Sequence, residues 1–76
     1  MTKVAVIEDN PTMRSVLTEI VNKAPGYRCV CACSSSSEAL SVVPKHQPDV
    51  ALMDIHLPDE SGIACTARLT QKMPGL

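Results

Sequence analysis

Phenylalanine and tryptophan are absent and tyrosine occurs once, so any core in these 76 residues is aliphatic. Also missing is a stripe of positive charge. Lys3, Arg14, Lys23, Arg28, Lys45, Arg68 and Lys72 are scattered and the net charge is −1, which removes a broad electrostatic case for nucleic acid. No apolar run approaches the ~20 residues of a membrane-spanning helix. Val4–Ile7 is too short for a signal peptide and acids follow it, so the expectation is a cytoplasmic protein with no membrane partner. What is present is 45% hydrophobic residues, enough for a globular chain. A domain this small buries only about 60% of its unfolded surface.

Four cysteines remain to be placed. Cys29, Cys31 and Cys33 alternate along an apparent strand, which predicts that all three face one side. Their C-x-C-x-C spacing differs from the C-x-x-C pairs of zinc knuckles, and Cys65 lies far along the chain. Reduced core or surface thiols are the expected reading, with a zinc site using His46 or His56 as the alternative.

The hydrophobic pattern alternates between two periods. Lys3–Glu8 reads as a buried strand because its apolar residues run without interruption. Asn10-Pro11 is a helix start, with Asn as the cap and Pro at the first helical position. Met13, Val16, Leu17, Ile20 and Val21 follow as an amphipathic stripe that Pro25-Gly26 stops. Tyr27–Ala32 is a second strand, and the run Ser34–Ser37 offers caps for a short helix containing Ala39, Leu40 and Val43 and closed by Pro44. Asp49–Met53 is a third strand and Pro58–Gly62 a turn-rich loop. The last helix runs from about Gly62 to Met73, with Cys65, Thr66, Leu69 and Met73 on one face. Strand–helix alternation with short connections implies right-handed crossovers and a parallel sheet in an α/β fold, one domain over residues 1–76.

Glu8 and Asp9 close the first strand and Asp54 closes the third. Ligands of such sheets bind at the carboxyl ends of the strands. Acids meeting there repel unless a cation neutralises them, and oxygen ligands with an open face suit Mg²⁺, which takes one or two carboxylates and keeps several waters. A carboxylate can also be a nucleophile that forms an acyl phosphate. Asp9 is expected to ligate the metal directly, Glu8 through water, and Asp54 as both ligand and nucleophile, with the backbone carbonyl of His56 as a further oxygen.

The segments Val6–Pro11, Met13-Arg14, Asp49–Pro58 and Ser61-Gly62 together resemble a response-regulator receiver domain. The resemblance implies the flavodoxin-like (CheY-like) fold. Here it covers only the first three strand–helix units, in order 2-1-3 with strands 4 and 5 absent. It implies a two-component system in which Asp54 takes phosphate from a histidine kinase with Mg²⁺, held by Glu8, Asp9, Asp54 and the His56 carbonyl. In the family the His56 side chain influences how long the phosphate survives, and helix 1 meets the kinase. That makes Met13, Arg14 and Leu17 candidates there, with core for Met13 and Leu17 and solvated surface for Arg14 as the plainer alternative. The family's Thr or Ser after strand 4 and Lys after strand 5 fall outside the matched segments, and Lys72 lies at the wrong end of a helix to replace the Lys. Phosphoryl transfer by this chain alone is therefore expected to be impaired.

Order 2-1-3 also leaves the third strand as an open apolar edge, so a fragment or a homo-oligomer paired through that strand is expected. The alternative function is a non-catalytic, dimerising interaction module. Nucleic acid would be reached only through an output domain outside these residues. A flavin site wants a Ser/Thr/Gly-rich loop where Glu8-Asp9-Asn10-Pro11 stands, and a haloacid-type phosphatase wants Asp-x-Asp there.

Overall fold

A computed structural model describes residues Met1–Leu76. The elements run β1 (Thr2–Ile7), α1 (Pro11–Lys23), β2 (Tyr27–Cys33), α2 (Ser36–His46), β3 (Val50–Met53) and α3 (Gly62–Lys72). The strands form one parallel sheet in the order β2-β1-β3, as the alternating pattern and the resemblance imply. β1 is the middle strand, and Val4–Ile7 are buried on both faces, which explains their uninterrupted apolar run. The first strand ends at Ile7 rather than Glu8, and the third begins at Val50 rather than Asp49. Asp49 instead lets its carboxylate accept the Lys3 N–H at 2.8 Å.

The main core lies on the sheet face covered by α2 and α3. Ala5, Ile7, Cys33, Ala39, Val43, Leu57, Cys65, Leu69 and Met73 form one cluster, with Ala51 and Met53 packed against it. On the α3 face, Cys65, Leu69 and Met73 are buried as expected, whereas Thr66 is exposed and returns its hydroxyl to the Gly62 carbonyl at 2.8 Å.

The opposite face carries α1 over β1 and β2 only. Val21 meets Val4 there, but the rest of the predicted stripe is not consumed: Met13, Val16 and Ile20 are exposed. Periodicity marks which side of a helix is apolar and says nothing about how wide its partner surface is. Beside α1 the same face of β3 is bare, with Val50 44% and Leu52 39% exposed. β3 is thus a half-buried edge strand, as the order 2-1-3 implies.

β2 departs from the predicted alternation. Its register with β1 shifts between Val4, which pairs with Cys29, and Ala5, which pairs with Cys31, so Val30 is a bulge residue. The extra residue turns Cys29 to the α1 side, where its Sγ lies 3.9 Å from Thr18 Oγ1 and its N–H donates to Asn22 Oδ1 at 2.8 Å. Cys31 and Cys33 face the α2–α3 core. The three thiols therefore do not share a side, and all four cysteines are free. Burial pushes the Cys33 thiol up to about 12 and raises Cys31 and Cys65 as well, which keeps them protonated and poor as nucleophiles or ligands.

Pro44 does not close α2; the helix continues to His46 and ends at Gln47 in the left-handed region, φ 48°. Pro44 lacks the N–H that would reach the Leu40 carbonyl, and Lys72 Nζ of α3 lies 3.4 Å from that oxygen instead. Gln47 Nε2 donates to the Pro44 carbonyl at 2.7 Å.

Candidate functional site

The acids converge because β1 and β3 are parallel neighbours. Ile7 pairs with Met53, so the residues that follow each strand leave the sheet at one edge. The Asp54 N–H donates to the Ile7 carbonyl at 2.9 Å and the Glu8 N–H to the Cys33 carbonyl at 2.9 Å, which carries both ladders one residue past their strands. Carboxylate oxygens of Glu8, Asp9 and Asp54 all lie within 4.8 Å of one another. Asp9 is exposed, and Glu8 and Asp54 are partly so.

The site is held by backbone donors. Asn10 caps α1, its Oδ1 accepting the Met13 N–H at 2.9 Å, while the Asn10 N–H reaches Glu8 Oε2 at 3.2 Å. Asp54 Oδ1 accepts the His56 N–H at 3.0 Å. That N–H, followed by the hydrogen bond shared with Glu8, holds the Asp54 carboxyl below its usual range. At Glu8 the Asn10 N–H works in the same direction. Partial desolvation with the Asp54 and Asp9 carboxylates outweighs it, and the Glu8 carboxyl is raised.

These opposite shifts predict a pH signature. Asp54, lowered, contributes stability above its unfolded value that is lost as pH falls through its folded value; Glu8, raised, contributes stability below its unfolded value that is lost as pH rises through its folded value. The metal-free chain is expected to be most stable with one proton on Glu8 and none on Asp54. Were a divalent cation to bind there it would replace that proton, and Mg²⁺ would then raise the Tm above Glu8's raised pKa and lose the effect below it, as thermal scans across acid to neutral pH would show.

Two supports of the site were not evident from the sequence. Arg14 is half-buried, not simply solvated surface: its Nη1 lies 3.0 Å from the Glu8 carbonyl and 3.3 Å from the Asp9 carbonyl, clasping the loop that bears both acids. Side chains on a helix lean toward its N-terminus, so an Arg in the first turns after an acid pair was the available signal. Met13 is exposed and Leu17 half-buried. The second support is Gly62, which is buried at the start of α3 and donates its N–H to the Ile55 carbonyl at 2.7 Å. A Cβ there would stand 1.9 Å from the Asp54 carbonyl oxygen. The Pro-x-x-x-Gly spacing thus reflects a contact between two backbones. The His56 side chain is exposed and carries no hydrogen bond, while Lys72 closes α3 and turns its Nζ to the Leu40 carbonyl of α2 rather than to the acids.

Known proteins resemble this chain in sequence and fold. Residues 4–76 match the response regulator receiver domain family. A protein-glutamate methylesterase/protein-glutamine glutaminase of Syntrophus aciditrophicus is 36% identical over 74 residues, 97% of this chain and 21% of that protein. The DNA-binding transcriptional activator DevR/DosR of Mycobacterium tuberculosis is 36% identical over 76 residues, 100% of this chain and 35% of that protein. Among solved structures, the response regulator domain of Thermotoga maritima CheB superposes with a TM-score of 0.91 at 31% identity, covering 97% of this chain and 55% of that one. The T. maritima regulator TrrA, solved with Mg²⁺ and BeF, gives 0.86 at 26% identity, with 97% and 63% covered. The chain therefore spans about a fifth to a third of these curated relatives and between half and two thirds of these solved chains. Over residues 4–76 the chain belongs to the response regulator receiver domain family.

Proposed function

We propose that residues 1–76 act as a receiver unit in two-component signalling, with Asp54 as the phosphoacceptor and a sensor histidine kinase as donor. The observation that carries this is the meeting of Glu8, Asp9 and Asp54 within 4.8 Å at the carboxyl edge of the sheet. Three hard oxygen donors on one edge, with Glu8 raised by desolvation and by the neighbouring Asp54 and Asp9 carboxylates, fit a divalent cation, and the solved TrrA relative is a complex with Mg²⁺ and BeF. Glu8, Asp9, Asp54 and the His56 carbonyl would hold Mg²⁺, which supplies charge neutralisation for the transferring phosphoryl group.

In the transfer, an Asp54 carboxylate oxygen attacks phosphorus, the P–N bond of phosphohistidine breaks, and the leaving imidazole nitrogen takes up a proton from water. The His56 N–H on Oδ1 orients the carboxylate for this attack. Arg14 and Asn10 fix the loop of the two companion acids. The family's hydroxyl and Lys are not among these residues, so transfer in the 76-residue chain by itself is expected to be slow. Beryllofluoride adduct formation, which asks only for the metal and the carboxylate, is the test: it should require Mg²⁺ and Asp54. With no membrane-length apolar helix and kinase phosphodonors inside the cell, the cytoplasm is the compartment this reading assigns.

The bare side of β3 favours a second reading, a self-associating module. Its backbone edge is unpaired and Val50, Leu52, Ile55 and Ile63 are exposed around it. Light scattering on the 76-residue chain at micromolar concentration should give a dimer, and a stable monomer would rule this reading out.

A further inference from the structure

The loop from Asp54 to Ser61 is fastened at its base by the Gly62–Ile55 hydrogen bond and by an antiparallel bridge between His56 and Ser61. Its tip leaves that base and reaches the start of α2. Asp59 Oδ1 accepts the Ser36 N–H at 2.9 Å and Oδ2 accepts the Ser37 N–H at 2.8 Å. These are the first two N–H groups of α2, which no helical carbonyl can satisfy. α2 already has its own cap, since Ser35 Oγ takes the Glu38 N–H at 3.1 Å. Asp59 is thus a second cap, delivered from 22 and 23 residues away. Glu60 reinforces it by accepting the Ser36 hydroxyl, and lies 3.6 Å from Arg68 Nε on α3. Ser36 is 1% exposed whereas Asp59 is exposed, so the contact is part-buried, sheltered on the α2 side. The Ser37 and Ser36 N–H groups hold the Asp59 carboxyl below its usual range, keeping it ionised as acceptor.

We infer that Asp59 is a positioning residue: by docking the loop tip on α2 it fixes the backbone at His56, and through the His56 N–H the carboxylate of Asp54. Two residues, Leu57 and Pro58, lie between His56 and the tip anchor, and the polar anchors of this loop other than Asp59 and Glu60 all lie at its base. Freed at the tip, the loop is left to the buried Leu57 and the contacts at its base, and the His56 N–H is held less firmly to the Asp54 oxygen. The inference rests on the reading of Asp54 and the His56 carbonyl as the metal-binding, phosphate-accepting groups. It adds that α2, which touches neither, sets how well they are aligned.

The test uses the 76-residue chain and Asp59→Ala. Without metal, amide exchange with water measured by NMR should quicken at Ser36 and Ser37 and also at His56, by roughly tenfold or more. Quickening at Ser36 and Ser37 with His56 unchanged would make Asp59 a helix cap only and overturn the inference. Mg²⁺ affinity should fall about tenfold in the same variant, as expected when support behind a ligand is lost; unchanged affinity would also overturn it. Should the wild-type chain bind no Mg²⁺, the metal reading of the site falls while the exchange comparison still decides the role of Asp59. Asp59→Asn, which retains one acceptor oxygen, should shift His56 in the same direction by less and serves if the alanine variant does not fold.

Discussion

Asp54→Asn is expected to abolish Mg²⁺-dependent beryllofluoride binding while leaving the fold intact. Asparagine keeps the side-chain shape and an oxygen that can accept the His56 N–H, now 3.0 Å from Oδ1, so the turn after β3 has no reason to open. What it loses is the anionic oxygen on which a phosphoryl group or its fluoride mimic must form a bond. The loss should be complete in the binding assay, with far-UV circular dichroism unchanged. A second readout separates this from a general disturbance. Asp54 is one of the groups that raise the Glu8 carboxyl, so the Glu8 titration followed by NMR should move down in the variant. Retained beryllofluoride binding would remove Asp54 as acceptor.

Gly62→Ala is expected to be the most damaging small substitution in the chain. Its new Cβ would stand 1.9 Å from the Asp54 carbonyl oxygen, 2.8 Å from the carbonyl carbon and 2.9 Å from Ile55 Cα. All three are backbone atoms, which cannot swing aside as a side chain can. Relief requires α3 to retreat from β3, breaking the 2.7 Å bond from the Gly62 N–H to the Ile55 carbonyl and lifting Cys65 and Leu69 from the core. The expected cost is at least about 3 kcal/mol, above the common range for overpacking. A domain of this length has a total stability of only about 4 to 11 kcal/mol, so a Tm drop of roughly 12 °C or more should follow. Gly75→Ala is the control: nothing lies within 4 Å of its added carbon, and its thermal scan should overlay the parent's.

The parts of this molecule that were legible in its sequence are those governed by local chemistry. Asn10-Pro11 starts α1 because an Asx oxygen and a ring-fixed φ suit a helix N-terminus wherever they fall. The unbroken run Val4–Ile7 marked the central strand, and the acids after it and after Met53 followed from where parallel strands end. The parts that were not legible depend on partners. Val30 has no glycine or proline signal, and its bulge exists only through pairing with β1, so the expectation that Cys29 sides with Cys31 and Cys33 failed. Pro44 looks like a stop, yet near a helix end its missing N–H orphans a single carbonyl, which Lys72 approaches from α3. Arg14 and Asp59 look like solvated charges until the carbonyls and N–H groups they serve, on other turns and another helix, are in place.

The proposed function requires that the carboxylates of Glu8, Asp9 and Asp54, which meet within 4.8 Å, hold a divalent cation at a reactive Asp54. The direct measurement is a Mg²⁺ titration of the 76-residue chain followed by its backbone amide spectrum. Saturable, one-site changes centred on Glu8, Asp9, Asp54 and His56, and lost in Asp9→Asn, are the predicted result. Amides at these positions that do not respond to millimolar Mg²⁺, or respond equally in Asp9→Asn, would contradict it.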